Sequence, residues 1–170
     1  MPPTLLAFLA LMLFMVHEFE EIILVCPWIA KKKNDPKFAN EIFVAGRVHY
    51  PSTETLAASI LEEFILASLI LLAGILFKLP ELVLAITLGH TVHLLSHISQ
   101  ALRFRTWVPG SVTAVLTMPL LIYSIFLFCL NNPLHWLLLL VITPLIFAVI
   151  IANLVFLHRQ ADQVEKFLHS

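Results

Sequence analysis

The residues best suited to chemistry in this sequence are histidines and glutamates that interrupt long apolar runs. The first run contains His17-Glu18-Phe19-Glu20-Glu21. Positions i, i+3 and i+4 share one face of a helix, so we expect His17, Glu20 and Glu21 to converge while Glu18 points elsewhere. Imidazole and carboxylate groups together bind divalent metals and transfer protons. The motif is therefore the first part of a candidate site.

Three later apolar runs also carry polar residues at helical spacing. The second run has a stripe at i, i+4, i+7 and i+8, and the third has one at i, i+3, i+7 and i+10. Each spacing places its members along one face of a helix, and a weaker hydroxyl stripe follows in the fourth run. The three stripes are Thr55, Ser59, Glu62 and Glu63; His90, His93, His97 and Gln100; and Thr113, Thr117 and Ser124.

Ionisable groups in apolar helices need a physical reason to be there. A charged side chain at the centre of a bilayer costs at least about 2.5–3.5 kcal/mol, so such groups must be paired, protonated or coordinated. A hydrogen-bonded polar core would satisfy them, and so would one or two divalent ions, of which zinc and iron suit a mixed His/Glu set. We assign proton transfer to Glu21 and Glu63. The predicted metal ligands are His17, Glu20, Glu21, Glu62, His90, His93 and His97.

The elements that must position these groups are membrane-spanning helices. The chain has 170 residues, of which 60% are hydrophobic and 12% are charged, and its mean hydropathy is +0.96. This composition excludes a disordered chain or a coiled coil and argues against a water-soluble globule. We predict an all-α transmembrane bundle forming a single domain over 1–170, with a cytoplasmic loop at 30–52. Its five spans are expected at roughly 4–29, 53–77, 80–102, 110–131 and 134–157.

The loop charges predict how these spans are oriented. Nine of the ten basic residues lie on one side of a five-span arrangement, which places the N-terminus outside and the C-terminus in the cytoplasm. In that orientation the polar faces of the first three spans fall at one depth, so they predict one shared site. The nine residues are Lys31, Lys32, Lys33, Lys37, Arg47, Arg103, Arg105, Arg159 and Lys166, and Lys78 lies on the other side.

The predicted cytoplasmic boundary has two further features. Phe38, Ile42 and Phe43 cluster beside lysines in the long loop, which predicts a short interfacial helix. Arg103 and Arg105 lie between the third and fourth spans, where guanidinium groups can hold the headgroup of a substrate. Simple anchoring of the protein at the interface explains these arginines equally well.

The order of the motifs resembles the HXXEE-domain family of small multi-helix membrane proteins. The resemblance rests on His17-x-x-Glu20-Glu21, on the histidines of a middle span and on Arg105-x-x-x-Pro109-Gly110, and it covers residues 15–113. It implies a polar, catalytic and metal-binding site in the membrane without indicating a particular reaction. By this resemblance His17, Glu20 and Glu21 are the principal site residues, followed by His93 or His97.

Together these observations favour a metal-dependent integral membrane enzyme that acts on a membrane lipid or another apolar small molecule. Zinc would support hydrolysis, and two irons would support oxidation. A metal-free Glu/His acid–base enzyme of the isomerase type and a proton-coupled transporter are the alternatives. The formal net charge of −1 gives no indication of nucleic-acid binding. We expect the plasma membrane of a prokaryote as the location, and a homo-oligomer is compatible with the sequence.

Overall fold

The computed structural model describes residues 1–45 and 50–168, without the side chain of His158. In this part of the chain all regular structure is helical, which confirms the predicted all-α class. A three-residue 3₁₀ helix, Pro36–Phe38, lies in the long loop. The five α-helices are α1 (Pro3–Lys32), α2 (Thr53–Leu76), α3 (Pro80–Phe104), α4 (Ser111–Asn131) and α5 (Trp136–Leu168).

The helices begin where the local sequence favours a start. Pro3 and Pro80 occupy the first positions of α1 and α3, where the missing N–H of proline leaves no hydrogen bond unmade. The Ser52 hydroxyl oxygen accepts from the N–H of Thr55 and so caps α2. α4 starts after Gly110, whose φ of +81° lies in the left-handed region that glycine adopts readily.

Four helices within the described residues are long and apolar enough to cross a membrane. They are α2, α3, α4 and the part of α5 at Trp136–Leu157. This finding supports the predicted class of integral membrane protein. The crossing of α1, which carries the His/Glu motif, and the orientation of the termini stay predictions, and Arg47 of the charge argument lies outside the described residues.

Helices α1 and α3 provide most of the interior of the bundle. α3 packs against the other four helices, and α1 packs against α2, α3 and α4. Charged and polar groups of α1 and α3 are buried, whereas large apolar side chains point outward from the helices around them. This arrangement suits a lipid environment, because apolar surface needs no water there. Exposed examples are Leu61 and Leu69 of α2, Leu116 of α4, and Leu137 and Leu140 of α5.

Two apolar clusters lie on either side of the polar interior along the bundle axis. One includes Leu6 of α1 with Leu84 of α3 and Phe128 of α4, all at most 2% exposed. The other joins Trp28 of α1 to Phe104 at the end of α3. The polar residues between them are therefore held by packing at both ends.

The long loop differs from its prediction. Instead of an interfacial helix, its described residues form a 3₁₀ turn and further turns. Phe38 is buried between Trp28 and Phe104, with ring centroids 5.1 and 5.5 Å away. Phe43 turns toward α3, with its ring centroid 6.0 Å from that of His97. For the described residues of the loop the predicted interfacial helix is wrong, since the chain forms turns there and these aromatic side chains pack against protein instead of lying at an interface.

The last helix continues beyond the predicted end of its span, from residue 157 to Leu168. The extension brings Glu165 to the start of α2, where its Oε2 accepts from the Ser52 N–H and the Thr55 hydroxyl at 3.1 and 2.7 Å. The extension therefore ties the end of α5 to the start of α2.

Candidate metal centre

Four side chains from α1 and α3 bring their ligand atoms together. His17 and Glu21 are contributed by α1, and His93 and His97 by α3. Glu21 Oε1 lies 3.5 Å from His17 Nε2, 3.9 Å from His93 Nε2 and 2.9 Å from His97 Nε2. The Nε2 atoms of His17 and His93 are 3.1 Å apart. All four ligand atoms lie within 4.8 Å of one another, and those around a tetrahedral zinc ion are roughly 3.3 Å apart, so small side-chain movements would bring this group around one metal ion.

Burial differs among the four side chains. His17 is fully buried, His97 is 1% exposed and Glu21 is 5% exposed. The His93 side chain is 37% exposed and lines two cavities beside the cluster. The cluster is therefore closed on the side of α4 and open on the side of His93.

The tautomer of His97 follows from its second ring nitrogen. Its Nδ1 lies 3.0 Å from the carbonyl oxygen of Pro109, and a carbonyl oxygen can only accept. Nδ1 therefore carries the proton and donates it. In the neutral ring this leaves the Nε2 lone pair directed into the cluster, which is the form that binds metals.

A chain of three groups sets the tautomer of His17 in the same way. The Thr113 hydroxyl donates to Glu20 Oε2 at 2.6 Å, so its oxygen is left to accept from His17 Nδ1 at 3.0 Å. Glu20 is held in turn by the backbone N–H of Thr113, at 2.7 Å, and by the indole N–H of Trp107, at 3.2 Å. Glu20 therefore orients His17 through Thr113, while the His17 Nε2 lone pair faces the cluster.

These assignments leave two acceptors face to face. In the neutral tautomer His97 Nε2 has no hydrogen, yet it lies 2.9 Å from Glu21 Oε1. Both atoms are buried, and neither has a hydrogen-bond partner among the described residues. Two buried lone pairs at this distance repel each other unless a cation neutralises them, either a second proton on the imidazole or a metal ion.

The Pro109-Gly110 turn packs directly against the cluster. A Cβ atom at Gly110 would lie 2.6 Å from His97 Nδ1 and 3.0 Å from Glu21 Oε1. Residue 110 also has a positive φ, a backbone conformation that residues other than glycine rarely adopt. The backbone can reach the cluster at this point because residue 110 is glycine.

Glu18 differs from its expected position. It is 2% exposed, and its Oε1 lies 3.5 Å from His93 Nε2. The expectation that Glu18 points away from the site is wrong, because α1 packs against three helices and has more than one interior face. Glu18 therefore flanks the cluster on the side of His93.

Two predicted ligands are engaged elsewhere. Glu20 faces the first turn of α4, as described above, and Glu62 Oε2 accepts from the side-chain amide of Asn153 on α5 at 2.7 Å. Neither carboxylate belongs to the group that converges on His93. Their roles as ligands stay predictions that the geometry does not favour.

His90 and Glu63 lie next to the cluster. The ring centroid of His90 is 6.4 Å from that of His17, and neither nitrogen of His90 has a hydrogen-bond partner among the described residues. Glu63 lines both cavities together with His93. These two residues are placed to contact a molecule in the cavities.

The two predicted headgroup residues lie apart from this cluster. Arg103 places its guanidinium 5.5 Å from the centroid of its neighbour Phe104. Arg105 ends α3 with a φ of 49° and lines a surface groove together with Trp107. Both arginines are exposed, and neither lines a cavity beside the cluster.

Glu41 of the long loop is a buried carboxylic acid beside the site. It is fully buried, its Oε2 accepts from the Phe43 N–H at 2.8 Å, and its Oε1 has no partner among the described residues. Burial raises the pKa of Glu41 from its ordinary 4.5 to about 7. The charges of His97 and Glu21 act on this pKa in opposite directions. Glu41 therefore changes between its protonated and ionised forms near neutral pH.

Sequence reasoning missed several residues that support the cluster. Thr113 and Trp107 reach Glu20, and the carbonyl of Pro109 orients His97. The hydroxyl stripe of α4 indicated that Thr113 faces the interior, but it gave no sign of the partner. No sequence pattern indicates a contact made by a backbone carbonyl.

Comparison with known proteins identifies a family for this chain. A family profile described as "Protein of unknown function with HXXEE motif" matches residues 8–126. No curated protein and no solved structure matches the chain. The helical bundle, with four helices long and apolar enough to cross a membrane, is compatible with an integral membrane protein. The chain is a member of the HXXEE family.

Proposed function

We propose that this chain is a metal-dependent integral membrane enzyme that acts on a lipid-like or apolar substrate. The observation that carries the proposal is the convergence of His17, Glu21, His93 and His97. At least two of the three imidazoles have their Nδ1 engaged elsewhere and their Nε2 directed inward. A divalent cation between these groups removes the repulsion between His97 Nε2 and Glu21 Oε1.

The residues around the cluster have separate tasks in this proposal. His17, Glu21 and His97 hold the ion from the closed side, and His93 completes the set from the side of the cavities. A bound zinc ion would acidify water at neutral pH, and iron would supply redox chemistry. Non-redox chemistry such as hydrolysis is the first hypothesis, because carboxylic acids suited to proton transfer line the open side.

Two carboxylates are available as the base on that side. Glu63 lines both cavities, and Glu18 Oε1 lies 3.5 Å from His93 Nε2 without a hydrogen-bond partner among the described residues. A carboxylate that does not bind the ion can accept a proton from water or substrate and return it to a leaving group. We assign this task to Glu63 because it reaches both cavities.

A metal-free acid–base enzyme is the second candidate, and one contact favours it. The 2.9 Å distance between His97 Nε2 and Glu21 Oε1 also suits an imidazolium–carboxylate pair. Such a pair could donate and accept protons in an isomerisation of an apolar substrate. The cation in the cluster would then be a proton.

Elemental analysis of the purified protein distinguishes the two candidates. We expect one tightly held transition metal per chain in the wild type, and we expect His17→Ala and Glu21→Gln to lose most of it. Metal content well below one ion per chain in the wild type, unaffected by either substitution after incubation with zinc or iron(II), would remove the metal-dependent function and leave the acid–base enzyme.

Two matched variants control for general damage to the fold. His135→Ala removes an exposed histidine outside the cluster, and Glu62→Gln alters a carboxylate of α2 that faces Asn153. Both should retain wild-type metal content. Loss of metal in Glu62→Gln would instead show that this carboxylate is a ligand.

A further inference from the structure

Two neighbouring cavities share part of their lining, and the metal cluster adjoins the residues that they share. The first has a volume of about 100 Å³ and extends from the cluster toward Ala10 and Leu71. The second has a volume of about 230 Å³ and extends toward the long loop. The residues that line both are Glu63, His93 and Leu154. We call the region around these three residues the waist.

The lengths of the cavities follow from the helix residues along their walls. On α2 the first cavity runs from Glu63 to Leu71 and the second from Thr55 to Glu63. At a rise of about 1.5 Å per residue, each wall is about 12 Å long. The two walls together extend over about 24 Å, a length that suits an extended chain better than a compact ring system.

The two cavities differ in polarity. Away from the waist, the first cavity is lined by apolar side chains such as Leu11, Leu66 and Ile86. Thr87 also lines it, but its hydroxyl donates to a backbone carbonyl. The second is also lined largely by apolar side chains, such as Ile29, Leu56 and Leu157, but it adds carboxylate and hydroxyl groups. The carboxylates are those of Glu18 and Glu21, whereas the hydroxyls of Thr55, Ser59 and Ser96 donate to other groups of the protein, as that of Thr87 does. The two carboxylates therefore make the difference in polarity.

His90 adds a polar contact to the apolar cavity close to the waist. Both of its ring nitrogens are shielded from solvent and have no hydrogen-bond partner among the described residues. A buried imidazole without a partner is unfavourable, and a small rotation of the ring toward the cavity would let a ligand hydroxyl or carbonyl supply one. The polar part of a ligand should therefore begin within one helical turn of His93.

We propose that the substrate is an amphiphile with a single hydrocarbon chain. This inference rests on the proposed function and adds the class and orientation of its substrate. The hydrocarbon chain occupies the apolar cavity, the first polar group contacts His90 at the waist, and the headgroup occupies the cavity next to the long loop. The bond that reacts lies at the waist, beside the metal cluster.

Binding of monoacylglycerols of increasing chain length tests this orientation. The protein in lipid nanodiscs would be titrated with octanoyl, dodecanoyl and hexadecanoyl monoacylglycerol, in competition with a fluorescent single-chain lipid. We expect affinity to increase with chain length until the apolar cavity is full. Ala67→Phe, which fills part of that cavity, should weaken binding of the longest chain about tenfold and leave the shortest nearly unchanged.

Two further variants make the test independent of one substitution. Ala10→Leu narrows the far end of the same cavity from α1 and should produce the same change in chain-length preference. Ala152→Phe adds the same side chain as Ala67→Phe on an exposed position of α5 and should leave the preference unchanged. Equal chain-length profiles in wild type, Ala67→Phe and Ala10→Leu would overturn the inference.

Metal content measured on the same samples separates this inference from the proposed function. Bound metal with no effect of Ala67→Phe or Ala10→Leu on chain preference overturns only the substrate assignment. A shift in chain preference in protein that binds no metal supports the amphiphile site and overturns the metal-dependent function.

Discussion

At the residue scale, the two adjacent acids of the HXXEE motif have different tasks. Glu21 faces His97 across the cluster, whereas Glu20 receives N–H groups from the start of α4 and orients Thr113. Thr113 in turn fixes the tautomer of His17. In the proposed metal centre, the motif would therefore supply two ligands, His17 and Glu21, and an acid, Glu20, that positions His17. Such supporting hydrogen bonds commonly affect metal affinity 10–100-fold.

The contact between Thr113 and His17 can be removed without touching the cluster. Thr113→Val should lower metal affinity about 10–100-fold, because His17 Nδ1 loses its acceptor and the ring is free to change tautomer. Competition with a chelator of known affinity would measure this, and saturating metal should restore full occupancy.

Conservative and neighbouring substitutions control this result. Thr113→Ser keeps the hydroxyl and should restore affinity, whereas Thr117→Val removes a hydroxyl that donates only to a backbone carbonyl and should have no effect. Wild-type affinity in Thr113→Val would mean that Glu20 and Thr113 do not position His17.

Gly110 offers a second prediction at this scale. Gly110→Ala should lower metal content and the melting temperature, because its Cβ would lie 2.6 Å from His97 Nδ1 at a strained φ of +81°. Gly89→Ala is the matched control, since its Cβ meets only the end of the Ile150 side chain at 3.0 Å. Alanine there gains about 1 kcal/mol of helix propensity. Equal metal content in the two variants would contradict the close approach at residue 110.

At the element scale, α1 provides polar groups in several directions. Glu20 points toward α4 and Glu21 toward α3. Glu18 points toward His93 and the cavity next to the long loop. The sequence predicted one polar face on this helix because a span in lipid usually has one interior side. α1 has several, since it packs against three helices and leaves only one side exposed, at residues such as Phe8, Phe19 and Ile23. The direction in which each carboxylate points depends on these neighbouring helices, and the periodicity of polar residues in the sequence does not reveal where they lie.

The long loop yields a pH prediction. The folded-state pKa of Glu41 is about 7 and the ordinary value is 4.5, so the folded protein holds the proton more strongly. The free energy of unfolding should therefore fall as pH rises through that window, by on the order of 1–3 kcal/mol. Thermal unfolding in detergent at several pH values would measure the loss. Glu41→Gln should flatten this dependence, and an unchanged slope would contradict the buried acid.

At the scale of the whole molecule, apolar run lengths and prolines were enough to predict the helices. The bounds of α2, α3 and α4 agree with the predicted spans to within about two residues, as expected when each turn is marked by proline or glycine. The pairing of Glu62 with Asn153 was not predictable, because it depends on how α5 packs against α2. The extension of α5 beyond residue 157 was not predictable either. It depends on a contact with α2, in which the Thr55 hydroxyl donates to Glu165.

The number of crossings is testable on intact cells. If α1 crosses the membrane together with α2 to α5, the two termini lie on opposite sides. In a Cys26→Ser, Cys129→Ser background, Thr4→Cys should react with an impermeant thiol reagent added outside, and Lys166→Cys should react only after lysis. Identical reactivity at both positions would mean that an even number of helices crosses.

The distance along the chain between the halves of the cluster has a consequence for biosynthesis. His93 follows His17 by 76 residues, and Thr113 follows it by 96. When α1 leaves the ribosome, its carboxylates have none of these partners, and each buried charge costs at least about 2.5–3.5 kcal/mol. If α1 crosses the membrane, it should therefore be weakly held in the bilayer until α3 and α4 are made. Membrane integration of this first helix would then be completed by the later ones, and a nascent chain that stops before α3 should not retain it.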